Sequence, residues 1–240
     1  MYKNYVFDLY GTLADIHTDE GDPKVWEALT NRYTESGAVY KPDELQTEYC
    51  RLVEIEKADV QKRHPEFTNV DIQVEKVFRT LYEQKGITAS DEEIAQTALL
   101  FRRASREYIH LYDGIEELLA ALSEKANVYL LTNAQRGFTW DELNILGIRK
   151  YFDGIVISSD EECCKPDKSF YNAIIKRYSL DPKETIMSGN DPVADIKGGK
   201  NADFDTLYIH TNISPEFDEN AGATYTIANG DTLKMKDYLL

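Results

Sequence analysis

Cysteine is scarce in this chain. Only three occur in 240 residues, Cys50, Cys163 and Cys164, and an odd count with two neighbours adjacent builds neither a disulfide framework nor a zinc site. They read as small, partly buried side chains. Histidine is equally thin: His17, His64, His110 and His210 are scattered without metal-ligand spacing. Positive charge is outnumbered, with 27 Lys and Arg against 43 Asp and Glu, for a net charge of −16 and a pI near 4.7. Such a surface repels polyanions, which argues against nucleic acid or an anionic membrane as partner. An anionic substrate would need a local cation or metal at its site. No apolar run of membrane-spanning length and no leader-like N-terminal segment is present, so a cytoplasmic location is expected.

What is present is enough apolar material for a core, 42% of residues, which excludes wholesale disorder. The length suits one domain carrying a large insertion, or two modest ones. Tyr5-Val6-Phe7 is a run of strand formers that ends in Asp8, and Tyr10-Gly11-Thr12 turns the chain at once. A buried parallel strand reads as such a run, and α/β sites lie at strand carboxyl ends. The polar stretch from Asp15 to Pro23 reads as a loop, with Pro23 placed to start a helix. From Lys24 to about His110 the pattern is helical and contains no convincing strand. Leu45, Tyr49, Leu52 and Val53 form one stripe, and Val70, Val74, Val77 and Phe78 another. Ser90-Asp91-Glu92-Glu93 is a capping-box signature.

Beyond Tyr112 the pattern becomes strand–helix alternation. Apolar strands read at Asn127 to Asn133, Gly154 to Ser158, Thr185 to Ser188 and Thr206 to Ile209, and Thr224 to Ala228 adds an edge strand. Alternation of this kind predicts an α/β fold, a Rossmann-like doubly wound parallel sheet with helices on both faces. The expected division is a core of residues 1–15 and 111–240 with an inserted α-helical cap at 16–110. The acidic run Asp160-Glu161-Glu162 reads as a solvated face.

Four strand ends carry polar groups: Asp8, then Thr132 and Asn133, then Lys165, then Asn190 and Asp191 with Asp195. Alone, Asp8 or Asp191 is as well explained as a helix cap, and Lys165-Pro166 as a solvated loop. Together, in this order, they converge on one rim of a doubly wound sheet. An ionised carboxylate there needs only positioning to act as a nucleophile. The Thr132 hydroxyl and the Asn133 amide can hold oxyanions. Lys165 supplies fixed positive charge, and Asp191 and Asp195 can complete a hard oxygen site for Mg²⁺ beside Asp8.

In these motifs the sequence resembles the haloacid dehalogenase superfamily of hydrolases. The matching elements are Asp8-x-x-Gly11-Thr12, Thr132, Lys165-Pro166, and Gly-Asn190-Asp191 followed by Asp195-Ile196-x-Gly198. The resemblance implies covalent catalysis by Asp8, with Gly11, Thr12, Thr132, Asn133 and Lys165 around a small anionic substrate. It also implies Mg²⁺ held by Asp8, the Tyr10 carbonyl and Asp191, with Asn190 and Asp195 as supporting or alternative ligands. Two departures divide the reading. Phosphatases of this family carry an acid two residues after the nucleophile, where Tyr10 stands here. Its dehalogenases carry Tyr there, and Tyr171, Ser188 and Asn190 match their site as well. Those dehalogenases, however, use an Arg early in the cap; Tyr33 to Leu45 has none, and Arg32 and Arg51 match only loosely. A Mg²⁺-dependent phosphatase is therefore the first reading, a metal-independent 2-haloacid dehalogenase the second, and a non-catalytic binding protein the third.

Overall fold

The computed structural model describes residues 2–240. In chain order its elements are β1 (Asn4–Phe7), β2 (Ala14–Thr18), α1 (Pro23–Glu35), α2 (Pro42–Arg63), α3 (Val74–Gln84), α4 (Asp91–Ser105) and β3 (Arg106–Leu111). There follow α5 (Ile115–Ser123), β4 (Asn127–Thr132), α6 (Arg136–Leu146), β5 (Gly154–Ile157), α7 (Ser158–Glu161) and α8 (Lys168–Tyr178). The chain continues through β6 (Thr185–Gly189), a π turn (Pro192–Lys197), α9 (Gly198–Asn201), β7 (Asp205–Ile209), β8 (Tyr225–Ile227) and α10 (Met235–Leu239).

Six strands pair in the order β5-β4-β1-β6-β7-β8, and every pairing is parallel. The chain winds outward from β1 through β4 to β5, then returns to β1's other edge and winds through β6 to β8. That reversal beside β1 opens the crevice in which doubly wound sheets carry their sites. Alternate side chains of β1 serve opposite layers. Tyr5 and Phe7 pack with α5, α6 and α10 through Ile115, Leu119, Leu143 and Met235, while Val6 packs with Phe170, Tyr171 and Ile174 of α8.

The helices α1 to α4 bury a core of their own, built on Trp26, Tyr33, Phe78, Tyr82 and Phe101. Asp22 caps α1 at Pro23, and the capping box on α4 is made: Glu93 N–H donates to Ser90 Oγ (3.2 Å) and Ser90 N–H to Glu93 Oε2 (2.8 Å). A cap of this kind is worth about 1 kcal/mol.

Three expectations need correction. The segment around the insertion is not free of strand, because Ala14–Thr18 and Arg106–Leu111 pair antiparallel as a two-stranded ribbon joining helices to core. The helical run ends at Ser105, and residues 14–18 are not loop. The ribbon was hidden because its residues alternate over a length too short to compete with the long helical pattern around it. Val70 lies outside α3, in an isolated bridge with Cys163. The acidic run is not simply solvated: Asp160 pairs with Arg136 and Glu161 with Arg177. Glu162 receives Arg63 and Lys76 from the helical unit.

Glu162 thereby fastens the loop between α2 and α3 to the sheet domain. Thr68 N–H and Oγ–H also donate to Asp167 Oδ2, and Ser158 Oγ–H to Asp71. The Arg63 hydrogen bond, opposed by burial and reinforced by Lys76, holds the Glu162 carboxyl down at about 2, against an ordinary 4.5. A depressed pKa of this kind contributes stability above the unfolded value and loses it as pH falls through the folded one. Hydrogen exchange in residues 64–73, taken relative to the intrinsic rate at each pH, should therefore accelerate between about pH 4.5 and 2. In Glu162→Gln it should be fast already at neutral pH; protection that is unchanged in that variant would refute the fastening.

Candidate active site

Asp8 stands one residue past β1, and its N–H donates to Ser188 O (3.0 Å) of β6. Its side chain is nearly buried. Gly11 follows at φ +80°, a backbone that disfavours any Cβ, and a Cβ there would lie 2.2 Å from Asn190 Nδ2. The turn is thus pressed against the loop after β6. Lys165, reaching in from the loop beyond β5, donates through Nζ to Asp8 Oδ1 (2.6 Å) and to Asp195 Oδ1 (2.7 Å). Burial works against its charge, but Asp195 and then Asp8 outweigh it, and its pKa is raised above the ordinary lysine value. Asp195 is pushed up to about 6, by burial first, with Lys165 opposing and the Asp8 charge adding.

The lysine is held by its own backbone. Asn133 Nδ2–H donates to Lys165 O (3.0 Å), and Lys165 N–H donates to Asn133 Oδ1 (2.8 Å). Asn133 therefore clamps the loop after β5 through its side chain. Asp195 Oδ2 accepts Asp191 N–H (2.9 Å), which occupies both oxygens of that carboxylate. Tyr171 OH donates to Ala194 O (2.7 Å) and pins the π turn from below. Asp191 caps that turn, its Oδ1 accepting from Val193 and Ala194 N–H (2.7 and 2.8 Å).

Two hydroxyls at this end of the sheet, Thr132 Oγ1 and Ser188 Oγ, are buried without a hydrogen-bond partner. A buried unpartnered hydroxyl costs on the order of 1–3 kcal/mol, and each keeps an unused donor. Thr132 is the strand-end hydroxyl singled out by the sequence; Ser188 sits across β1 from it.

Asp8, Asn133, Lys165, Asn190, Asp191 and Asp195 line one cavity of about 260 Å³, with Tyr10, Ala194, Ile213 and Pro215 completing its wall. A larger cavity of about 580 Å³ lies at the strands' amino ends among Tyr2, Tyr5 and Tyr225 and holds none of the candidate catalytic groups. The sequence reading missed Ile213, Pro215 and Ser214. The loop that carries them is bolted in place, with Thr211 Oγ1–H donating to Gly11 O (2.6 Å) and Asn190 Nδ2–H to Ser214 Oγ (3.2 Å). Nothing in that short polar loop marks it as part of the rim.

Tyr10 behaves differently from the rest. Its phenol donates to Glu142. Burial above all, then the Glu142 charge, raises its pKa, with Arg102 opposing.

No three His, Cys, Asp or Glu side chains converge on a metal position among the described residues. The oxygens left over are nonetheless of the right kind for Mg²⁺. Asp8 Oδ2 and Asn190 Oδ1 both lie 3.4 Å from the Thr12 hydroxyl, so one carboxylate oxygen and one amide oxygen share that neighbour. Mg²⁺ commonly takes one or two carboxylates and completes its shell with water and substrate phosphate. The donor set fits that mode and does not form an all-protein cage.

A parallel doubly wound sheet with a carboxylate and a buried lysine paired at its switch point, beside a helical unit with its own core, is an arrangement found in a class of hydrolases. A family model described as haloacid dehalogenase-like hydrolase matches residues 2–203, and the chain belongs to that family. Human N-acylneuraminate-9-phosphatase is 25% identical over 210 residues, covering 86% of this chain and 82% of that one. The HAD-hydrolase YfnB of Bacillus subtilis is 28% identical over 143 residues, 59% of this chain and 60% of its own. A crystal structure of YfnB bound to magnesium aligns with a TM-score of 0.55 at 21% identity, covering 98% of each chain. A 2-haloacid dehalogenase from Pseudomonas syringae aligns at 0.67 and 18% identity, over 100% of this chain and 98% of that one. No helix among the described residues is long and apolar enough to cross a membrane.

Proposed function

We propose that the chain hydrolyses a small phosphate ester through a covalent intermediate on Asp8. The observation that carries this reading is the Asp8–Lys165 pair in the wall of the cavity at the carboxyl end of the sheet. With Lys165 on Oδ1 and only the long Thr12 contact on Oδ2, one carboxylate oxygen can attack while the other stays with its cation. Attack on phosphorus forms the aspartyl phosphate and breaks the bond to the leaving oxygen, which departs with its electron pair. Water then attacks the same phosphorus and regenerates the carboxylate. Thr132 and Lys165 face the phosphoryl oxygens, where fixed donors are worth most. Asp8, the Tyr10 carbonyl and Asn190 Oδ1 would hold Mg²⁺, with Asp191 as a neighbouring ligand, and the ion would neutralise phosphoryl charge. The helical unit would serve as a lid that excludes water.

No acid stands ready for the leaving group. Tyr10 is tied to Glu142 and its raised pKa suits no proton transfer near neutrality. Phosphates with acidic leaving groups should therefore be turned over best. The same observation favours a second reading, loss of halide from a 2-haloacid, which needs no proton at all. Both are decided by one pair of assays. 4-Nitrophenyl phosphate with Mg²⁺ is expected to be hydrolysed at a rate that falls at least about tenfold on chelation. Halide release from 2-chloropropionate without metal, and no aryl phosphatase activity, would replace the first reading by the second.

A further inference from the structure

Glu142 is completely buried, and no step at Asp8 uses it. It projects from α6 and collects donors from three separate places. The Tyr10 phenol reaches it from the nucleophile turn. Arg102 Nε donates from the last turn of α4 (2.7 Å), and Arg106 Nη1 from the first residue of β3 (2.9 Å). Arg102 also lies over the Tyr10 ring at 5.6 Å and the Phe138 ring at 5.4 Å. The second carboxylate needed by two guanidinium groups is supplied by Asp141, 3.5 Å from Arg106.

The placement of these partners gives the cluster its meaning. Arg102 and Arg106 bracket the point where the helical unit passes into the ribbon. Tyr10 lies two residues after Asp8. One desolvated carboxylate therefore joins the hinge of the helical unit to the turn that carries the nucleophile. A buried carboxylate with all its donors in place is stable, and it becomes strongly unfavourable when they are lost. Displacement of a reacting group by about 1 Å is enough to cost a large factor in rate.

We propose that Glu142 is a positioning residue for the reaction at Asp8. It acts through Tyr10 to fix the nucleophile turn, and through Arg102 and Arg106 to hold the helical unit in register with it. The proposal rests on the hydrolase reading of Asp8. It gives Tyr10 a task other than proton transfer.

The test uses Glu142→Gln, Tyr10→Phe and the double variant in the full chain. An amide offers one acceptor oxygen to three donors, so Glu142→Gln releases the arginines while keeping the side-chain shape. Spin labels at Val39→Cys and Lys125→Cys, in a Cys50→Ser background, report the distance between helical unit and core. Glu142→Gln should broaden that distribution and lower kcat for 4-nitrophenyl phosphate about tenfold with KM nearly unchanged. Tyr10→Phe should lower kcat similarly with the distribution unaltered, and the double variant should be no slower than Glu142→Gln. A narrow distribution in Glu142→Gln, or rate losses that multiply in the double variant, overturns the proposal. Absence of turnover in the wild type overturns the hydrolase reading instead, and the distance measurement still decides whether Glu142 holds the hinge.

Discussion

Asp8→Asn should abolish turnover, by roughly 10⁴-fold or more, in a protein that folds as well as the wild type. The substitution keeps the shape of the side chain and removes its nucleophilic oxygen. A loss of that size corresponds to about 5.4 kcal/mol of transition-state stabilisation. Stability should not suffer, because of the charge balance around Lys165. In the wild type one buried ammonium serves two carboxylates, Asp8 at 2.6 Å and Asp195 at 2.7 Å. Asparagine at position 8 leaves a single ion pair, Lys165 with Asp195, and relieves the repulsion between the acids. A melting temperature equal to or above that of the wild type, together with lost turnover of 4-nitrophenyl phosphate, is the expected pair of results. Substantial residual turnover would remove Asp8 from the chemistry.

Lys165→Met should have the largest effect on stability. The ammonium is buried between two buried acids, and its removal leaves both facing each other without a counter-charge. Breaking a buried pair in this way costs about 3–5 kcal/mol, a fall in melting temperature of roughly 10 °C for a chain of this size. Turnover should also disappear, since the phosphoryl group loses its fixed cation. A second substitution separates the two consequences. Adding Asp195→Asn to Lys165→Met removes one stranded charge and should recover most of the stability, but none of the activity. Recovery of activity in the double variant would mean that Lys165 serves the fold and not the reaction. Lys165→Arg should rescue neither, because a planar guanidinium fork cannot reproduce one tetrahedral ammonium donating to two separate carboxylates.

The sheet was legible because each strand is an apolar run that ends abruptly in a polar group, and those ends are where a doubly wound fold gathers its chemistry. Asp8, Lys165 and Asp195 do meet, as their order along the chain suggests, and Asn190 and Asp191 lie on the same cavity wall. Side-chain direction was not legible. Periodicity places Tyr10 beside the nucleophile but says nothing of Glu142, 132 positions later, which accepts from the phenol. Glu142 itself sits on a helix of mixed character, where a single acid reads as a solvent-facing residue. The ribbon of β2 and β3 escaped notice for a related reason: its two halves lie on either side of four helices, and neither half alone is long enough to declare a strand. Ile213 and Pro215 reach the cavity only through a loop whose position depends on hydrogen bonds to Gly11 and Asn190.

Formation of a covalent bond at Asp8 is open to direct capture. Borohydride reduces an acyl phosphate, or a carboxylate ester, to the alcohol, so quenching the enzyme during turnover converts the bonded aspartate to homoserine. Peptide mass spectrometry should find homoserine at position 8, only when substrate is present, and not in Asp8→Asn. Turnover that proceeds with residue 8 unreduced, or with the reduced residue elsewhere, would contradict nucleophilic catalysis by Asp8.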